Sequence, residues 1–90
     1  MSDAERWRVN VSGRAERDLK RLPARDQARV RAAIDALEAG PGTGDIRKLR
    51  GKDNEWRLRV GDWRVRFRPD FQQGVIYILH VRPRGEAYRD

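Results

Sequence analysis

Polar and apolar residues alternate through WRVNV (7–11), where Trp7, Val9 and Val11 share one side. A period of two predicts a short half-buried strand. The period then lengthens: Ala15, Leu19 and Leu22 recur at helical spacing, with Ser12 ahead of them as an N-cap candidate. Pro23 interrupts this run and suits the first turn of a second helix. That helix carries Val30, Ala33, Ile34 and Leu37 on one face and stops at Gly40-Pro41. The pair reads as an αα-hairpin with a short connection. GPGTGDIRKLRGKDN (40–54) is rich in turn residues and basic side chains and reads as one long loop. Loops beyond about 12 residues in a compact domain are often functional. Alternation returns in EWRLRV (55–60) and WRVRFR (63–68), which flank Gly61-Asp62, a two-residue hairpin signal with glycine first. PDFQQG then turns the chain into VIYILHV (75–81), apolar on both faces and so expected to be a central strand. The predicted order is β-α-α-β-β-β. It describes one α+β domain over residues 1–90, an antiparallel sheet with the helical hairpin packed on one face.

The hairpin signal fixes a register. A two-residue loop pairs Val60 with Trp63, so Trp56, Leu58, Val60, Trp63, Val65 and Phe67 face the helices. Arg57, Arg59, Arg64, Arg66 and Arg68 fall on the other side, Arg57 opposite Arg66 and Arg59 opposite Arg64. Each opposed pair costs on the order of 1 kcal/mol when well hydrated. No acid is interleaved along these strands, since Asp62 sits in the turn and Glu55 precedes the first strand. A wet face carrying an arginine or two is ordinary in antiparallel sheets. Five on one face point to an anion that binds there.

Charge sharpens this picture. The net charge of the 90-residue chain is +7, and residues 46–90, the half that reads mostly as strands, carry most of it. A one-sided positive field favours an anionic polymer as partner. Lysine appears only as Lys20, Lys48 and Lys52; the other cations are arginines, suited to bidentate phosphate contacts but too basic to serve as a general base. The chain has no cysteine, which removes a disulfide framework and a thiolate metal site, and its acids lack metal-ligand spacing. No metal or cofactor is expected. No apolar run approaches the ~18 residues of a membrane span, and the basic N-terminus lacks the apolar segment of a signal peptide. These features fit a soluble protein of the bacterial cytoplasm. His80 is the one histidine, which excludes a two-histidine ribonuclease mechanism. Within so apolar a strand it reads as a packed, hydrogen-bonded side chain, with a secondary acid–base role open to it near the tail. Trp7, Trp56 and Trp63 follow the apolar pattern and are expected in the core rather than as stacking platforms.

WRLRVGDWRVRF, the apolar strand after it and the ending RPRGEAY together resemble the RelE/ParE superfamily of bacterial toxin–antitoxin toxins. The resemblance extends from the first strand through LKRLP (19–23) to AYRD (87–90), and is weaker in the helices. It implies the same β-α-α-β-β-β fold. RelE-like members are ribosome-dependent endoribonucleases that cut messenger RNA in the decoding site; ParE-like members poison DNA gyrase. By resemblance, the catalytic set of the RelE branch falls on Arg64, Arg84 and Tyr88. The family's two hairpin lysines fall on Arg57 and Arg59, which therefore hold phosphates rather than shuttle protons. Arg66, Arg68, Arg82 and Lys52 join them as substrate-binding candidates. ParE-like chains usually lack this full set, which favours RelE. A non-catalytic nucleic-acid-binding member is a third possibility. The resemblance also implies a cognate antitoxin, the ribosome with its messenger RNA, and operator DNA reached through the antitoxin complex. The charged first helix, RAERDLKRL, is a surface that could receive the antitoxin.

In the RelE reading, the RNA 2′-hydroxyl attacks the adjacent phosphorus and leaves a cyclic 2′,3′-phosphate. Arg64 and Arg84 bind the non-bridging oxygens as charge builds on them. Tyr88 is the general base, its phenolate favoured by neighbouring guanidiniums, or else stacks on a base without ionising. Lys48, Arg50 and Lys52 read as backbone contacts or as a solvated loop. GPGTG lacks the lysine and helix of a phosphate loop and is a turn.

Overall fold

The computed structural model describes residues 6–42 and 44–87, without the side chains at positions 86 and 87. The elements are β1 (Arg8–Val11), α1 (Gly13–Lys20), α2 (Ala24–Asp35), β2 (Asp45–Lys48), β3 (Trp56–Val60), β4 (Trp63–Asp70), β5 (Val75–Pro83) and α3 (Arg84–Ala87). A 3-10 turn, Ala36–Ala39, continues α2. Five strands form one sheet in the order β1-β5-β4-β3-β2. No helix among the described residues is long and apolar enough to cross a membrane.

The α+β class and the order of the predicted elements hold, and three expectations are corrected. The segment read as one long loop contains β2, which pairs with β3 from Asp45↔Arg59 to Lys48↔Trp56. Its only apolar side chain, Ile46, packs against the core, so the strand owes its existence to pairing rather than to its own pattern. The sheet is mixed rather than antiparallel, because β1 lies parallel to β5, from Arg8↔Val75 to Val11↔Ile78. The helices carry the chain from β1 at one edge to β2 at the other, and the meander then returns to β1. The basic tail also begins with the short helix α3.

Local chemistry explains the remaining joints. Ser12 caps α1, its Oγ accepting from the Ala15 N–H at 3.0 Å and donating to the Leu79 carbonyl at 3.0 Å. One hydroxyl thereby starts the helix and ties it to β5. Pro23 sits at the cap of α2, one residue ahead of its first turn. Glu16 of α1 and Arg31 of α2 form an ion pair that joins the helical hairpin. Ala15, Leu19, Val30, Ile34 and Leu37 from the helical layer pack against Leu58, Val65, Phe67, Ile76, Ile78 and Val81 from the sheet. The three tryptophans are only partly buried and pack against this core, Trp56 stacked with its cross-strand partner Phe67 at 6.4 Å between ring centroids.

The β3–β4 hairpin has the expected register throughout: Val60↔Trp63, Arg59↔Arg64, Leu58↔Val65, Arg57↔Arg66 and Trp56↔Phe67. Gly61 has φ 57° while Asp62 stays outside the positive-φ region, the signature of a type II′ turn.

Candidate nucleic-acid interface

Because side chains alternate across a strand, the register places cross-strand rows on the sheet face away from the helices. One row runs Arg47, Arg57, Arg66, His80; the next runs Asp45, Arg59, Arg64, Arg82. Toward the other end, Arg68 lies opposite Tyr77, which pairs onward with Asn10. The five predicted arginines do share this face, and Arg82 joins them.

Three of these guanidinium side chains are buried. Relative exposure is 8% for Arg57, 4% for Arg64 and 8% for Arg66, and 7% for His80. Arg59 and Arg68 are exposed, and Arg82 is half-buried. The face therefore has two tiers, fixed cations beneath and reaching cations above.

Acids are interleaved after all. Asp45 of β2 lies 3.6 Å from the Arg57 guanidinium and 2.6 Å from that of Arg59. Glu55, at the entry to β3, lies 3.8 Å from Arg66 and 3.0 Å from Arg68. Each carboxylate sits beside an arginine of the buried tier and one of the exposed tier. Part of the repulsion that pattern alone assigned to a ligand is offset within the fold. Asp45 carries no signal in the alternation because β2 carries none, and the reach of Glu55 to β4 depends on the fold rather than on its place before β3.

Arg64 is anchored differently. Its Nη1 donates to the carbonyls of Gly61 at 2.9 Å and Trp63 at 3.0 Å, so the hairpin turn fixes its position. Arg84 is exposed on α3, and its backbone N–H donates to the Asp62 carbonyl at 2.8 Å. That bond docks α3 on the same turn and brings Arg84 to the end of the sheet that holds Arg59, Arg64 and Arg82. Lys52 lies in the turn between β2 and β3, at the end shared by Glu55 and Arg68, and is not brought to Arg84. Tyr88 lies outside the described residues.

His80 was expected to pack in the apolar strand. It is buried, but on the charged face, directly across from Arg66. The cause is a register shift in β5 opposite Arg66 and Phe67: Arg66 pairs with His80 while Phe67 pairs with Ile78, leaving Leu79 as the extra residue. Without it, His80 would share the core side with Ile76 and Ile78. No sequence signal marks this bulge.

A family model described as the ParE toxin of the type II toxin–antitoxin system parDE matches residues 9–88. A protein of Methanocaldococcus jannaschii, named on a provisional basis as toxin RelE1, is 28% identical over 88 residues, covering 94% of this chain and 98% of that protein. Among solved structures, the archaeal RelE–RelB complex from Pyrococcus horikoshii OT3 matches with a TM-score of 0.76 at 32% identity, over 88% of this chain and 96% of that one. The toxin–antitoxin complex RelBE2 from Mycobacterium tuberculosis matches with a TM-score of 0.79 at 28% identity, over 88% and 99%.

Proposed function

Since the chain belongs to the ParE toxin family of type II toxin–antitoxin systems, within the RelE/ParE superfamily, we propose that this toxin is a RelE-like endoribonuclease that cuts messenger RNA on the ribosome. The observation that carries this reading is the two-tiered arginine face, with Arg57, Arg64 and Arg66 buried beneath the more exposed Arg59, Arg68 and Arg82. Buried cations held by neighbouring groups need no reorganisation when negative charge develops above them, and they act in a medium of low dielectric. The exposed arginines supply the reach to successive phosphates of a strand.

In the proposed reaction the 2′-hydroxyl on the 5′ side of the scissile bond attacks phosphorus, and the 5′-oxygen of the next nucleotide leaves and takes a proton from solvent water. The products are a cyclic 2′,3′-phosphate and a 5′-hydroxyl. Arg84, exposed beside the anchored Arg64, neutralises the non-bridging oxygens, and Arg64 holds its charge behind them. Tyr88 takes the 2′-proton. Arginine is too basic for that step, and His80 across from Arg66 is a second acid–base group on the same face. The toxin acts in the cytoplasm and is held inactive there by a cognate antitoxin, as the RelE–RelB assemblies of the relatives suggest. That complex, rather than the toxin alone, contacts operator DNA.

The match to a ParE family model favours one second reading, a DNA gyrase poison. Purified toxin incubated with programmed ribosomes and messenger RNA separates the two. The RelE-like reading expects cuts with cyclic phosphate ends, lost in Arg84→Ala. Intact RNA together with gyrase-dependent DNA breaks would replace it with the second reading.

A further inference from the structure

Between α1 and the end of the sheet lies an open groove of about 560 Å³. Arg14, Arg17 and Arg21 line it from the α1 side, at the three- and four-residue spacing that stacks side chains on one helix face. Arg82 lines it from β5 and Trp63 from β4. Asp18 is the one acid in the lining, and its Oδ2 accepts from the Val81 N–H at 2.9 Å. β1 pairs with β5 only as far as Ile78, so this carboxylate satisfies a donor on the strand edge that β1 leaves uncovered.

Among the described residues, none of these four guanidiniums is ion-paired. The contrast with the sheet face is the telling observation. There Asp45 and Glu55 each serve two arginines, whereas here four cations surround an aromatic wall with a single carboxylate engaged elsewhere. Phosphates would relieve their mutual repulsion, and the part of the half-buried Trp63 indole that reaches the groove is aromatic surface that a base can contact.

We propose that this groove is a second RNA site. It binds single-stranded RNA, with phosphates on Arg14, Arg17 and Arg21 and a base against Trp63. Arg82 belongs to both the groove and the arginine face and links them into one track. An acidic polypeptide would satisfy the arginines but would leave the stacking surface unused. The inference rests on the RNA-directed reading of the toxin, yet its test requires no cleavage.

The probe is a fluorescent 12-mer of 2′-O-methyl RNA, which lacks the attacking hydroxyl and stays intact whether or not the toxin is a nuclease. Binding is titrated against salt for the wild type, for Arg17→Ala/Arg21→Ala, and for the charge-matched Arg25→Ala/Arg29→Ala on α2. The groove variant is expected to flatten the slope of log K against log salt by about 1.4, at about 0.7 per phosphate contact, and the α2 variant by less than half of that. Trp63→Leu is expected to weaken binding about tenfold, and Trp63→Phe, which keeps a ring, by less than about threefold. Equal losses from the two double variants would overturn the proposal, as would unchanged affinity in Trp63→Leu at an unchanged melting temperature. Displacement of the probe by poly-glutamate as effectively as by unlabelled RNA would reassign the groove to an acidic protein. Loss of cleavage activity in the ribosome assay, with these binding results intact, would count against the nuclease reading alone.

Discussion

Asp45 carries opposing duties at the level of a single residue. Its carboxylate sits against both Arg57 and Arg59, and it also lowers the positive charge of the face proposed to bind RNA. Asp45→Asn is therefore expected to cost about 1 kcal/mol in urea unfolding, discounted because the carboxylate is part-exposed, while tightening RNA binding at low salt. A loss in both measurements would refute the division of labour. Glu16 gives a second residue-level prediction. Its hydrogen bond to Arg31 holds its carboxyl below the usual value of 4.5. The unfolded chain binds that proton more readily than the folded one, so the stability of the pair is fully present above about 4.5 and is lost as pH falls through the lower folded value. Glu16→Gln should flatten this acid limb in thermal melts and leave arginine-face binding at neutral pH unchanged.

Two joints carry the elements. Gly61 combines φ 57° with a position where an added Cβ would stand 3.1 Å from an Arg29 guanidinium nitrogen. Gly61→Ala should cost more than about 1 kcal/mol, seen as a lower urea midpoint with an unchanged slope. Ser12→Ala removes a helix cap and the bond to Leu79 together, and about 1–2 kcal/mol is expected. In a domain of this size that loss lowers the melting temperature by roughly 4–8 °C per kcal/mol. These joints were also the legible ones. Ser12 and Gly61-Asp62 are short-range signals, and the turn alone fixed which arginines stand opposite each other. What stayed hidden was non-local. DIRK becomes a strand only because β3 offers an edge to pair with, the parallel placement of β1 depends on β5 far along the chain, and the extra Leu79 moves His80 to the other face without any mark in the alternation. The proposed catalytic roles of Arg64 and Arg84 rest on family resemblance, since nothing in the periodicity distinguishes either from its neighbours.

For the whole molecule, a net charge of +7 predicts strong electrostatic capture of any polyanion. Specificity must then come from where the cations are fixed. Raising the salt should weaken RNA binding steeply, while the urea midpoint moves far less, because the core of the fold is apolar and lies on the other side of the sheet. Filter binding and urea melts over one salt series would test this, and parallel losses would mean that the charged face also governs folding. The topology has a further consequence, in time rather than in space. Among the described strands β5 is made last, yet it lies between β1, made first, and β4, and it supplies both His80 and Arg82 to the face. Contacts so distant along the chain form only after the intervening loop closure has been overcome. An emerging chain therefore lacks one wall of its charged face until β5 has been made, however early β3 and β4 pair with each other.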